Sequence, residues 1–188
     1  MKIILASNSP RRKELLKDLG YDFTVVKIEC EESYPLDLQP NEIAGYLSKL
    51  KADAYPNLQN DELLLTSDTI VVQGTTILGK PKSKEEAVRM LQNLSGSSHE
   101  VFTAITLQTK EKSITKTDVA RVTFSEISNA EIEYYIEKYQ PYDKAGSYGI
   151  QEWLGMAKIS KIEGSFYTIM GLPTHLVYEI IKSFDLAE

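Results

Sequence analysis

Apolar and polar positions follow one another along the chain in segments that predict both strands and helices. The longest apolar run, Leu63–Val72, encloses four polar residues and is rich in β-branched side chains. This pattern predicts a strand that is largely covered on both faces. Shorter strands are predicted at Lys2–Ala6, Asp22–Ile28, Val101–Leu107 and Ile114–Phe124, and a pair of strands at Met156–Ile162 and Phe166–Met170.

Apolar residues recur at helical spacing between these strands. A helix is predicted from Pro10 to about Leu19, and a second one begins at Pro40. Ser83 and Ser128 each stand three residues before a Glu, which is the capping-box pattern at the start of a helix. A last helix begins at Pro173. The predicted buried positions of the second and last helices are Ile43, Leu47, Leu50 and Ala54, and Leu176, Val177, Ile180 and Ile181.

The order of these elements predicts a mixed α/β fold with antiparallel hairpins, because a doubly wound fold would alternate strands and helices regularly. No Pro-rich or Gly-rich linker divides the chain. We therefore predict one domain over residues 1–188, built as two lobes around a central cleft.

Composition excludes several classes of function. The chain has 188 residues and a net charge of −6, which argues against a nucleic-acid or anionic-membrane partner. No apolar run is long enough to span a bilayer. One Cys cannot form an internal disulfide, and two His with one Cys cannot supply a usual zinc site. These counts predict a reducing compartment, the cytoplasm.

Asp68 is the most informative residue of the long strand. One interpretation is a strand-end acid that caps a loop, and the other is a carboxylate at the edge of a cleft. The turn at Gln73-Gly74-Thr75-Thr76 favours the second, because a hairpin return would bring Lys80 towards Asp68. Gly74 to Lys80 almost matches a P-loop, but Pro81 replaces the magnesium-binding Ser or Thr, and the segment is flanked by strands instead of opening a helix.

The junction after the first strand predicts an anion site. Ser9 can cap the helix that begins at Pro10, and Ser7, Arg11 and Arg12 add hydroxyls and positive charge to the same turn. Helix N-termini attract anions through free N–H groups and the helix dipole. The alternative is an ordinary cap with two solvated arginines, but the density of donors favours phosphate.

The other charged residues indicate a function less clearly. Glu32 lies in an acidic loop and is either solvated or a partner of Asp68 in holding a divalent cation, which prefers oxygen ligands. Lys49 and Lys51 lie off the apolar stripe of their helix, so each taken alone is expected to face solvent. Residues 142–152, hereafter the Gly-rich loop, combine glycines with polar groups as functional loops do.

Six short motifs occur in order along nearly the whole chain. They are Leu5-Ala6-Ser7-Asn8-Ser9-Pro10-Arg11-Arg12-Lys13-Glu14-Leu15-Leu16, Ser67-Asp68-Thr69-Ile70-Val71, Gly79-Lys80-Pro81, Leu94-Ser95-Gly96, Lys144-Ala145-Gly146-Ser147-Tyr148-Gly149-Ile150-Gln151 and Met170-Gly171-Leu172-Pro173. This ordered set resembles the Maf family of nucleoside triphosphate pyrophosphatases, and the ending Tyr148-Gly149-Ile150-Gln151 resembles its dTTP/UTP branch. Glu152-Trp153 stands where a glycine is more usual.

The resemblance implies the Maf fold, which is related to that of inosine triphosphatases, with a twisted mixed sheet between two lobes. It also implies hydrolysis of a nucleoside triphosphate to the monophosphate and pyrophosphate. Asp68 would be the general base, a metal ligand, or both. The other implied roles are triphosphate binding by Ser7, Arg12, Lys51 and Lys80, a metal contact by Glu32, and base choice by Arg11, Thr69 and Gln151.

The implied cofactor is a divalent cation, Mg²⁺ or Mn²⁺, and the implied partner is the nucleotide substrate. A homodimer is the oligomeric state that the family suggests. Two other functions stay open at the level of sequence. One is a nucleotide-binding regulator of cell division that does not turn over its ligand, and the other is a pyrophosphatase for ITP or XTP.

Overall fold

The computed structural model of the chain describes residues 1–185 and contains strands and helices in mixed order. Two short 3-10 turns are present: Pro141–Asp143 overlaps the start of the Gly-rich loop, and Ala145–Ser147 lies within it. The strands are β1 Lys2–Ala6, β2 Phe23–Val26, β3 Glu62–Gln73, β4 Thr76–Leu78, β5 Ser98–Gln108, β6 Ser113–Phe124 and β7 Ile159–Glu163. The helices are α1 Pro10–Asp18, α2 Pro40–Asp53, α3 Lys84–Leu94, α4 Asn129–Tyr139, α5 Trp153–Lys158, α6 Phe166–Met170 and α7 Thr174–Asp185.

One seven-stranded sheet connects these elements in the order β2-β1-β3-β5-β6-β7, with β4 paired to β3. β1 runs parallel to both β2 and β3, whereas the β3–β4 and β6–β7 pairs are antiparallel. The prediction of a mixed α/β fold with a mixed sheet is therefore confirmed. The hairpin prediction after Val72 is confirmed as well, because Val71 pairs with Leu78 across the turn.

The chain forms two compact units, and three strands contribute residues to both. The first unit contains Met1–Asp68, Thr103–Asp118 and the described residues from Gly171 onward. The second unit contains Thr69–Phe102 and Val119–Met170. This division agrees with the prediction of two lobes. The prediction that both units form one domain over 1–188 stays a prediction, and its last three residues, 186–188, lie outside the described part.

Each unit has an apolar core of its own. In the first, Ile4, Leu64 and Ala52 pack together from β1, β3 and α2. In the second, Leu91 of α3 and Tyr135 of α4 belong to a larger cluster. The predicted capping box at Ser128 is confirmed. At α3 only half of the box forms, because the Glu86 carboxylate accepts from the Lys82 N–H instead of that of Ser83.

The predicted strand pair near the C-terminus is wrong in part. Trp153–Lys158 and Phe166–Met170 are short helices, and β7 pairs with β6 instead of with a following strand. Leu, Met, Ala and Lys in α5 are good helix formers. The β-branched and aromatic residues of α6 prefer strands only weakly, and their tertiary setting overrides that preference.

The buried face of α2 differs from the predicted stripe. Ile43 and Leu47 are buried as expected, but the face continues through Ser48 and Ala52, whereas Leu50 and Ala54 are half-buried. The small side chains of Ala44, Ser48 and Ala52 follow one another at a spacing of four residues. In α7, Val177, Ile180 and Ile181 are buried as predicted and Leu176 is half-buried. No helix within residues 1–185 combines the length and apolar character needed to cross a membrane.

Candidate active site

Asp68 lies in β3 just beyond the carboxyl end of its parallel pairing with β1. The two strands are in register from Lys2 opposite Glu62 to Leu5 opposite Leu65. The Asp68 side chain is 10% exposed, and its Oδ1 accepts a hydrogen bond from Lys51 Nζ at 2.5 Å. The carboxyl ends of parallel strands are the usual place for ligand sites in α/β proteins. Asp68 lies inside β3, so the loop-capping interpretation is not supported, and its role as a site residue stays a prediction.

Lys51 joins two carboxylates. Its Nζ lies 3.1 Å from Glu32 Oε1 in addition to its bond to Asp68, and its side chain is only 15% exposed. The expectation that Lys51 faces solvent is wrong, because α2 turns this residue towards the end of β3. Lys49, in contrast, faces solvent as expected and forms an exposed ion pair with Asp53 one helical turn later. We call Lys51, Asp68 and Glu32 the Asp68 cluster.

Arg12 supplies a second positive charge at the same strand end. Its Nε donates to the Gly171 carbonyl at 2.8 Å and its Nη1 donates to the Ser67 carbonyl at 2.9 Å. Burial lowers the pKa of Arg12, whereas the negative charges of Asp68 and Glu32 raise it. An arginine stays protonated in proteins. Its charge is therefore fixed beside the backbone that carries Asp68, held by the strand and by the segment before α7.

The turn between β1 and α1 has the predicted geometry. Ser9 is the N-cap residue, and its side chain accepts from the backbone N–H of Arg12. The buried Ser7 Oγ accepts from the Ser9 N–H at 3.2 Å. No acidic residue occupies the first turn of α1, so the positive end of the helix is not neutralised there. Arg11, half-buried on the same turn, adds to this positive potential.

Three other predicted site residues belong to the second compact unit. Lys80 is exposed and lies two residues after β4. Its neighbour Gly79 accepts a hydrogen bond from the Gly146 N–H of the Gly-rich loop at 3.1 Å. Thr69 is half-buried in β3, and Gln151 is exposed at the end of the Gly-rich loop. The roles of Lys80, Thr69 and Gln151 stay predictions.

The carboxylates of the Asp68 cluster are the only candidates that the sequence offered for a metal. Residues 1–185 contain no group of three or more His, Cys, Asp or Glu side chains arranged to hold an ion. Mg²⁺ is commonly bound by one or two carboxylates together with substrate phosphates, so a full protein cage is not required. Two carboxylates that share one lysine fit such a donor set.

Two polar networks were missed from the sequence. Ser48, Thr66 and Thr106 form a buried chain of hydroxyls that extends to Thr115. The small residues at spacing four in α2 were the available signal for the first network. In the second unit, Glu152 forms an ion pair with Lys144 and accepts a hydrogen bond from Tyr135, around the Gly-rich loop. For that network, the predicted inward direction of Tyr135 was the one available signal.

Comparison with known proteins identifies the class of this chain. The sequence model of the family described as "Maf-like protein" matches residues 2–184, and the chain belongs to that family. A dTTP/UTP pyrophosphatase of Bacteroides thetaiotaomicron is 52% identical over 96% of this chain and 95% of its own length. A dTTP/UTP pyrophosphatase of Flavobacterium johnsoniae is 48% identical over 97% of this chain and 94% of its own length.

Among solved structures, the chain is similar in part to the Ham1 protein of Staphylococcus aureus. That likeness has a TM-score of 0.47 and 19% identity, and it covers 69% of this chain and 73% of that one. A similarity of this size says nothing further about the site. The family resemblance predicted from the sequence motifs is confirmed by the family match and by the two dTTP/UTP pyrophosphatase relatives.

Proposed function

We propose that this protein is a nucleoside triphosphate pyrophosphatase that hydrolyses dTTP and UTP to the monophosphate and pyrophosphate. The observation that carries the proposal is the Asp68 cluster at the end of β3, with Arg12 held beside it, in a chain of the Maf family. Relatives that are about half identical over nearly the full chain bear this activity in their names.

Asp68 would act as the general base. Its carboxylate removes a proton from water as the water oxygen attacks the α-phosphorus. The α–β anhydride bond then breaks, and pyrophosphate leaves with the bonding electrons. A positioned base contributes about 10²–10⁴-fold to such a step. Lys51 holds Asp68 Oδ1 and fixes the direction of the carboxylate.

The triphosphate would be bound by positive charge and hydroxyl donors. Arg12 and Lys51 hold their charges at the end of β3, and Ser7 lies at the end of the adjacent β1. Lys80 is the further predicted phosphate contact. Charge develops on the phosphate oxygens during phosphoryl transfer, and fixed cations stabilise it without reorganisation.

A divalent cation, Mg²⁺ or Mn²⁺, would be held by Asp68 and Glu32. When bound, it neutralises charge on the phosphate oxygens. Lys51 already contacts one oxygen of each carboxylate, so it keeps the two side chains together before the ion arrives. Asp68 as a ligand and Asp68 as a base are both compatible with this arrangement.

Base choice would depend on Gln151, Arg11 and Thr69. A Gln amide offers one donor and one acceptor, which match the imide edge of uracil or thymine. Cytosine reverses that pattern and would leave buried polar groups unpaired. A cytoplasmic location, a homodimer, and the lack of nucleic-acid or membrane partners stay predictions.

Pyrophosphate release over a panel of nucleotides tests the proposal. The panel contains dTTP, UTP, CTP, GTP, ITP and XTP, each with Mg²⁺, with Mn²⁺, or with EDTA. We expect turnover of dTTP and UTP that depends on the cation. Preference for ITP or XTP would favour the inosine triphosphatase function, and tight binding without turnover would favour a regulator; either result contradicts the proposal.

A further inference from the structure

The Gly-rich loop is held by one carboxylate with a side chain only 17% exposed, that of Glu152. Glu152 Oε1 lies 3.1 Å from Lys144 Nζ, at the start of the loop. Glu152 Oε2 accepts a short hydrogen bond from the Tyr135 hydroxyl. That hydroxyl oxygen in turn accepts from the Gly149 N–H at 2.9 Å. We call Lys144, Glu152, Tyr135 and Asp143 the Glu152 cluster.

The hydrogen bonds of the cluster run in one direction. The Gly149 N–H donates to Tyr135, and Tyr135 donates to Glu152. Burial raises the pKa of Tyr135, and the hydrogen bond to Glu152 raises it further, so the phenol keeps its proton. Because the donor and acceptor of each bond are fixed, the loop backbone at Gly149 has one favoured position relative to α4.

Close packing around Gly149 leaves little room for a side chain at this position. A Cβ added at Gly149 would lie within 3.1 Å of three atoms of the Glu152 carboxylate. The Glu152 N–H also donates to the Gly149 carbonyl at 3.1 Å, which closes a tight turn over residues 149–152. Gln151 lies inside that turn and is exposed, so its side chain projects from a backbone that is fixed on both sides.

We propose that Glu152 and Tyr135 are positioning residues for nucleobase selection, because they fix the turn that presents Gln151. This inference rests on the proposed role of Gln151 in base choice. Glu152 stands next to Gln151, and its N–H and carboxylate bind Gly149, Lys144 and Tyr135. It therefore acts on specificity through the position of Gln151 and not by contact with the substrate.

The test uses Tyr135→Phe and Glu152→Gln in the full chain. Tyr135→Phe removes the hydroxyl that joins Gly149 to Glu152, and Glu152→Gln keeps the volume but removes the charge. We expect the UTP-to-CTP ratio of kcat/KM to fall about tenfold in Tyr135→Phe, through KM for UTP, which is the size expected for a lost charge-assisted hydrogen bond. We expect a smaller fall in Glu152→Gln, whose amide oxygen still accepts, and little change in kcat for either.

Tyr134→Phe is the matched control. Tyr134 precedes Tyr135 on α4, is 43% exposed, and its hydroxyl accepts only an exposed bond from Lys138. This variant should keep the wild-type ratio. An unchanged ratio in Tyr135→Phe, or an equal loss of kcat for every nucleotide, would overturn the inference because it would indicate a structural role alone.

Two further measurements separate this inference from the function on which it rests. Amide hydrogen exchange at Gly149 should be faster in Tyr135→Phe than in Tyr134→Phe whether or not the protein turns over nucleotides; equal exchange would overturn the inference. Gln151→Ala should lower the UTP-to-CTP ratio directly. If Gln151→Ala changes that ratio and Tyr135→Phe does not, the positioning role is wrong while the proposed function stands.

Discussion

The two compact units each contain a lysine between a buried and an exposed carboxylate. In the Asp68 cluster, Lys51 joins Asp68, which is 10% exposed, to Glu32, which is 53% exposed. In the Glu152 cluster, Lys144 joins Glu152, which is 17% exposed, to Asp143, which is 61% exposed. Residue types and burial are therefore almost the same at the two places.

The clusters differ in how many oxygens of the less exposed carboxylate already have a partner. Both oxygens of Glu152 have a partner, because Oε1 forms an ion pair with Lys144 and Oε2 accepts a hydrogen bond from Tyr135. Asp68 accepts through Oδ1 from Lys51, and within residues 1–185 its Oδ2 accepts no hydrogen bond. A fully bonded buried carboxylate stabilises a fold, whereas one with an oxygen left over can bind water, a metal or a proton. The composition of a cluster thus says less about function than the way its acceptors are used.

Asp68→Asn should have the largest effect. The amide keeps the shape of the carboxylate but cannot take a proton from water, so kcat should fall about 10³-fold, within the range for loss of a general base. Glu152→Gln is the comparison and should keep kcat within a few-fold, about 1 kcal/mol or less in activation free energy. Pyrophosphate release and thermal unfolding of both variants check this, and turnover near the wild-type rate in Asp68→Asn would remove Asp68 from the mechanism.

Lys144→Met should reduce stability and leave kcat nearly unchanged. The substitution leaves the buried Glu152 carboxylate without its cation, and breaking a buried ion pair from one side costs about 3 kcal/mol. Urea unfolding measures the loss. Lys161→Met is the control, because Lys161 forms an exposed pair with Glu163 and should change stability by less than about 0.5 kcal/mol. Equal effects of the two substitutions would contradict the distinction between the clusters.

The second unit should also lose stability in mild acid. Burial lowers the pKa of His99 to about 4 from 6.5, so the folded state binds fewer protons than the unfolded state. The contribution of His99 to the free energy of unfolding is therefore highest above pH 6.5 and falls as the pH is lowered towards 4. About 2 kcal/mol of it is lost between pH 7 and pH 5.

Urea unfolding at several pH values tests the role of His99. His99 bonds to the Tyr148 hydroxyl inside the second unit, whereas His175 is exposed near Asp118 in the first. His99→Asn should flatten the pH dependence between pH 7 and pH 5, and His175→Asn should leave it unchanged. If His175→Asn flattened the pH dependence and His99→Asn did not, the titrating group would lie in the first unit.

Lys51→Met should have a smaller effect on transition-state stabilisation than Asp68→Asn. It removes a phosphate contact and leaves Asp68 and Glu32 as two neighbouring negative charges. We expect KM for UTP to rise about tenfold, as for loss of a charge-assisted hydrogen bond. Lys49→Met on the same helix, whose lysine pairs with Asp53 in solvent, should leave KM unchanged. A KM increase in both variants would indicate a general charge effect.

Local signals predicted much of the first unit from the sequence. The Ser9 cap and Pro10 fix the start of α1, so the position of Arg12 on its first turn followed from local rules. The apolar run around Asp68 predicted a buried strand, and β3 confirms it. These features depend on neighbours within a few residues, and that is the range over which sequence patterns are informative.

Contacts between distant residues could not be predicted in the same way. The Gly171 carbonyl that accepts from Arg12 is a backbone group, and nothing in its side chain identifies it. Lys51 contacts Asp68 because α2 packs through the small residues Ala44, Ser48 and Ala52, whereas the periodicity suggested Leu50 and Ala54. The Glu152 cluster likewise depends on a tertiary contact between α4 and the Gly-rich loop.

Hydrolysis of UTP in H₂¹⁸O, with products resolved by mass spectrometry, tests the central claim most directly. Attack of water on the α-phosphorus places the label in UMP and leaves the pyrophosphate unlabelled, and Asp68→Asn should form almost no labelled UMP. Label in pyrophosphate, or release of UDP and orthophosphate, would contradict the account, because water would then attack a different phosphorus from the one to which Asp68 is assigned.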